Sequence, residues 1–260
     1  MDRGDIVNKR IIIILKLLII GLLVVGFLLR FNFLKVCANR SLLEVKLALK
    51  LGADVNHSDK KGNTSLMAAA IKNSDPEIIK FLISKGAKVN DTTNDEEYTA
   101  LMYAIMENDN AEIIRALIKY GADVNFRGQS GWTPLMTAAA YNNDPEVAEM
   151  LIKYGADVNA RRPGGFTALI YAAGSTDNIE VIDVLIQNGA QVNRGDDTGW
   201  TPLLWAARYN KNPEVVIRLL QYGADPQARN SYGWRAVDLI EENEYLKGTD
   251  VHYTLQELSY

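Results

Sequence analysis

Thr133-Pro134-Leu135-Met136 opens a stretch that continues through Ala138-Ala139-Ala140, Asn143-Asp144-Pro145-Glu146 and a second apolar run to Gly155-Ala156-Asp157-Val158-Asn159, closing at Phe166. The same pattern starts again at Thr64, Thr99, Thr167 and Thr201, and in degenerate form at Arg235; the spacing is 35 once and 34 thereafter. A fixed period of this length marks a stack of identical supersecondary units, none of which can bury its apolar face alone. Periodicity therefore decides the fold class: an all-α repeat solenoid of stacked helix-turn-helix units with hairpin-like tips.

Within each unit the local signals agree. Thr133-Pro134 and Thr201-Pro202 read as the N-cap and first turn of a short helix. Asn73, Asn108, Asn142 and Asn210 stand where it ends, and asparagine tolerates the left-handed backbone that stops a helix. Asp75-Pro76-Glu77, Asp144-Pro145-Glu146 and Asn212-Pro213-Glu214 cap a second helix, with the glutamate at the positive end of its dipole. Gly86, Gly121, Gly155, Gly189 and Gly223 terminate it.

The spacing predicts five full units over 64–98, 99–132, 133–166, 167–200 and 201–234. A capping half-unit over 35–63, lacking a first helix, is expected before them, and a capping unit over 235–260 after them.

These residues resemble the ankyrin repeat, whose pattern includes Thr-Pro-Leu-His-x-Ala and whose usual period is about 33 residues. The likeness covers residues 41–245. Where that pattern has histidine after the leucine, this chain has Met67, Met102, Met136, Ile170 and Leu204, so apolar packing must replace its hydrogen bonds. The resemblance implies protein binding through the tips and the concave face of the first helices, with no catalytic residues.

Ahead of the repeats, Ile11 to Leu29 holds 19 residues, 16 of them Ile, Leu, Val or Phe. Each is worth about −0.3 to −0.6 kcal/mol on insertion, which outweighs the roughly 2.5–3.5 kcal/mol of one central lysine, here Lys16. Residues 1–10 then form a short tail and 11–34 a single transmembrane or signal-anchor helix. A cleaved signal, releasing a soluble secreted binding protein, is the alternative. Arginines and lysines flank the span on both sides, so its orientation stays open.

Residues 1–35 carry six Lys/Arg and two Asp/Glu, a balance of +4, so the formal charge of −4 leaves −8 for residues 36–260. That acidic remainder disfavours a nucleic-acid surface. Cys37 is the only cysteine, and His57 and His252, the only histidines, read as ordinary surface residues. Neither a metal site, a cofactor, a small-molecule substrate nor an enzymatic nucleophile is indicated. An enzyme is the competing functional class.

Candidate binding residues come from positions that recur once per unit. Tyr98, Trp132, Phe166, Trp200 and Trp234 precede each threonine or its equivalent, Asn63 being the exception. A second column holds Ala68, Tyr103, Thr137, Tyr171 and Trp205, and a third Lys72, Glu107, Tyr141, Ser175 and Tyr209. Trp and Tyr are enriched in binding hot spots. Tyr103, Tyr141, Tyr171, Trp205 and Tyr209, with Trp132, Phe166, Trp200 and Trp234, are the candidates for contacting an unknown protein or peptide. Stacking between units is the alternative role for the column before the threonines.

Overall fold

The structure is a computed structural model that describes residues 21, 32–95 and 97–259. Its helices pair as α1 Phe33–Asn39 with α2 Leu42–Lys50, α3 Ser65–Lys72 with α4 Pro76–Ser84, α5 Ala100–Glu107 with α6 Ala111–Lys119, and α7 Pro134–Tyr141 with α8 Pro145–Lys153. α9 Ala168–Ser175 with α10 Ile179–Gln187, α11 Pro202–Tyr209 with α12 Pro213–Gln221, and α13 Ala236–Ile240 with α14 Asp250–Glu257 complete the stack. First helices pack on first helices and second helices on second helices. Among the described residues there is no strand, only isolated bridges at two tips.

Caps define the helix starts. Thr64, Thr99, Thr133, Thr167 and Thr201 each accept a hydrogen bond from the backbone N–H three residues on. Asp75, Asn110, Asp144, Asn178 and Asn212 accept from the N–H of the glutamate two residues on. The second helices end on glycines such as Gly155, whose φ of 95° is open to a residue without Cβ. Between the two layers lies a continuous apolar core in which Met67, Met102, Met136, Ile170 and Leu204 are all buried.

The asparagines that end the first helices differ from expectation. Asn73, Asn108, Asn142 and Asn210 are extended, not left-handed. Their side-chain amides reach back to the preceding unit: Asn108 Nδ2 donates to the carbonyls of Ala70 (2.8 Å) and Asn73 (3.0 Å), and Asn210 Nδ2 to those of Ala173 (2.9 Å) and Thr176 (3.0 Å). Each thereby satisfies carbonyls orphaned at the end of a neighbouring helix. Asn243 repeats the device on Ala207 and Asn210. A second row does the same at the opposite ends, with Asn56, Asn90, Asn125, Asn159 and Asn193 bonding the carbonyl of the next helix-ending glycine.

At the amino end the half-unit becomes a full helix pair. Phe33 and Leu34, assigned by sequence to the apolar span, lie in α1, where Phe33 is 1% exposed. Sequence missed α1 because its N-cap, Asn32, makes no side-chain capping bond and no Thr-Pro precedes it. Cys37 is buried in the same helix, and burial pushes its thiol up to about 12.

The stretch 11–29 and the tail 1–10 lie outside the described residues. Among those described, no helix is long and apolar enough to cross a membrane.

His252 also departs from expectation. It is 5% exposed in α14, its Nδ1 accepts from the Gly248 N–H at 3.0 Å, and its Nε2 meets Glu241 Oε1 at 3.0 Å. The carboxyl-terminal unit closes over it, and the apolar period carried no sign of that. His57 is exposed, as expected.

Candidate aromatic groove

The tip residue before each capping threonine and the exposed face of the following helix meet by construction, since the threonine cap fixes the angle at which the chain enters the helix. Where the second column also holds a ring, the two touch five residues apart: Tyr98 meets Tyr103 at 5.8 Å, Phe166 meets Tyr171 at 5.6 Å and Trp200 meets Trp205 at 5.3 Å between centroids. Two of the column's rings also touch the second-column ring 39 residues on, in the next unit. Trp132 stacks on Tyr171 at 4.5 Å with planes 24° apart, and Phe166 meets Trp205 at 5.5 Å. Third-column rings join the same row, Trp132 with Tyr141 at 5.8 Å, and Trp205 with Tyr209 at 5.0 Å.

The column before the threonines thus bridges successive units, and pairs of this kind contribute about 0.5–1.5 kcal/mol beyond their buried area. Its rings are nonetheless partly open: Trp132, Phe166 and Trp200 are all half-buried. Tyr141 and Tyr209, 56% and 52% exposed, form the outer walls of the row.

Trp132, Tyr141, Phe166, Tyr171, Trp205 and Tyr209 converge on one cavity of about 380 Å³. That volume is near the lower end for small-ligand pockets and suits one or two side chains. Its floor is low at Gly174, where a Cβ would stand 3.6 Å from the Trp205 ring. Trp200 supports Trp205 and Tyr209 from behind. Tyr103 sits apart with Tyr98, and Trp234, 43% exposed, contacts Tyr232 rather than the row.

Two polar groups that sequence did not single out complete the groove. Arg162, from the tip between the third and fourth full units, lies over Trp132 (5.2 Å) and Phe166 (5.7 Å), and its Nη1 donates to the Tyr171 hydroxyl at 2.6 Å. Burial pushes the Tyr171 phenol up against the opposing pull of Arg162. Asp196, 7% exposed, accepts from Trp205 Nε1 at 3.3 Å and so fixes that indole. Arg162 and Asp196 occupy equivalent places in successive tips, one period apart. A column rule could not have found them, because that position changes charge from unit to unit.

The groove holds no nucleophile beside a base, and among the described residues no group of three His, Cys, Asp or Glu side chains could hold a metal ion. What it offers is flat apolar faces, three phenol hydroxyls and one guanidinium.

Comparison with known proteins agrees with this architecture. The ankyrin-repeat family model matches in three copies, over residues 29–93, 70–162 and 160–230. The crystal structure of the human ASB11 ankyrin repeat domain is similar with a TM-score of 0.76 and 26% identity, over 87% of this chain and 97% of that one. A search of curated proteins finds no significant match. With family matches running from residue 29 to 230, more than half of its length, the chain belongs to the ankyrin-repeat family.

Proposed function

We propose that this protein is a membrane-tethered interaction scaffold whose aromatic groove binds a protein or peptide. The observation that carries the binding reading is the convergence of six aromatic side chains from four successive units on one open cavity. Ring stacking between units joins the column before the threonines to the second column. Tyr141 and Tyr209 project beyond it, half-exposed, where an aromatic side chain gains little unless something covers it. The tether rests on sequence alone: residues 11–29 are apolar enough to span a bilayer and directly precede the stack.

Replacing Tyr171, Trp205 and Tyr209 together by alanine, with an isolated partner in hand, weakens binding by about 100-fold or more, as expected for hot-spot aromatics. Unchanged affinity, in a variant whose far-UV circular dichroism matches the parent, overturns the groove. Carbonate extraction of membranes tests the tether separately: the full-length chain stays with the lipid, and its complete release refutes the anchor.

A further inference from the structure

The groove carries one guanidinium, that of Arg162, with which no carboxylate of the described residues forms an ion pair. Arg161, the preceding residue, is paired, bonding Asp197 Oδ1 at 2.8 Å and the Gly195 carbonyl at 3.0 Å. Arg208, on the far side of the groove, pairs with Glu242 at 2.6 Å. Arg162 meets no carboxylate of the described residues; its protein contacts are two aromatic faces and the Tyr171 hydroxyl, and its Nε is buried without an acceptor. The Asp196 carboxylate is held by neutral donors instead, accepting from Thr198 N, Thr198 Oγ1 and Trp200 N of its own tip and from Trp205 Nε1 of the following helix.

This arrangement decides the sign of the ligand. An aromatic-lined cavity by itself suits a cation, whose charge sits over the ring faces. Here the guanidinium of Arg162 already covers Trp132 and Phe166, so an incoming cation meets a like charge. The unpaired guanidinium, in surroundings of low polarity, instead favours an oxyanion in its plane. The space beside it, above Gly174 and between Tyr141 and Tyr209, is apolar. Further units continue the stack on both sides of the groove, which leaves room for a ligand chain to run through it.

We propose that the groove takes an internal segment of a protein in which an Asp or Glu side chain stands next to a large apolar side chain. The carboxylate bonds Arg162, and the apolar side chain fills the cavity between Tyr171 and Trp205. This rests on the groove being the binding site, and it adds the chemistry of the partner to that reading.

A display library of random linear peptides, selected against the full-length chain, tests it. The enriched sequences carry Asp or Glu adjacent to Leu, Ile, Phe or Trp, and Trp205→Ala abolishes their binding. Changing the peptide's Glu to Gln weakens binding to the native protein by about tenfold or more, the effect of losing one charge-assisted bond. The same change costs less than about twofold against Arg162→Gln, because the interaction it removes is already absent. Blocking the peptide's carboxyl terminus leaves affinity unchanged, which separates a side-chain carboxylate from a terminal one.

Enriched peptides lacking an acidic residue, or a Glu-to-Gln change without effect, overturn the acidic partner, and so does sensitivity to the terminal block. If such peptides still require Trp205, the groove stands without it. Binding that survives Trp205→Ala, or a selection that enriches nothing, overturns both.

Discussion

The first full unit and the fourth and fifth share one backbone plan and differ in what they show to solvent. In the first, the second and third columns hold Ala68 and Lys72; in the fourth they hold Tyr171 and Ser175, and in the fifth Trp205 and Tyr209. The helices beneath are the same length and are capped the same way. Stacking therefore does not require rings at these positions. Residues that recur in every unit hold the ladder together, and those that vary give each rung its surface.

The contrast predicts a hierarchy of effects. The deepest cut is into the recurring residues. Asn210 is 2% exposed and makes two bonds to the preceding unit while accepting one from the Asn212 N–H. Asn210→Ala leaves those buried groups unpaired, and urea unfolding should show a loss of about 3 kcal/mol. A loss below about 0.5 kcal/mol would mean that packing alone joins the units.

Thr133→Ala removes one N-cap, whose hydroxyl accepts from Met136 N at 3.2 Å, and should cost about 1 kcal/mol by the same measurement. Gly174→Ala works in the opposite direction. Its Cβ has room, and alanine is the better helix former, so stability rises by about 0.5–1 kcal/mol. A fall instead would show the floor of the groove to be tighter than its geometry indicates.

Making the first unit resemble the last, with Ala68→Tyr and Lys72→Tyr together, should shift stability by no more than about 0.5 kcal/mol. A large stabilisation would turn the aromatic row into a structural element. The smallest effect is at the carboxyl cap. Glu241 is held below the usual carboxylate range by its bond to Lys247, with His252 also contributing. Its folded pKa is lowered, so its contribution is present above the unfolded value and is lost as pH falls through the folded one. Unfolding curves of the parent and Glu241→Gln should differ at neutral pH and converge in acid; a constant gap would remove Glu241 from that dependence.

Much of this architecture is legible in the amino-acid sequence. The threonine caps, the second-helix caps and the helix-ending glycines act within a few residues of chain, so local physics dictates them and sequence displays them. Harder to see is which neighbour a polar side chain chooses. The asparagines ending the first helices could have turned their own backbone left-handed. They stay extended because another helix end lies within reach of their amides, a distance set by how closely the units pack. The helix Phe33–Asn39 is hidden for a related reason: its N-cap makes no side-chain capping bond, and it is held by burial against the next unit.

Sequence alone determined the period, the helix pairs of the five full units and the choice of recurring aromatic positions. The tertiary structure decided which of those aromatics share one cavity, left Trp234 and Tyr103 outside it, and brought Arg162 in from a tip. The physical reason is range. Capping and periodicity are properties of neighbouring residues, whereas a groove exists only once successive units are stacked at a fixed distance and angle.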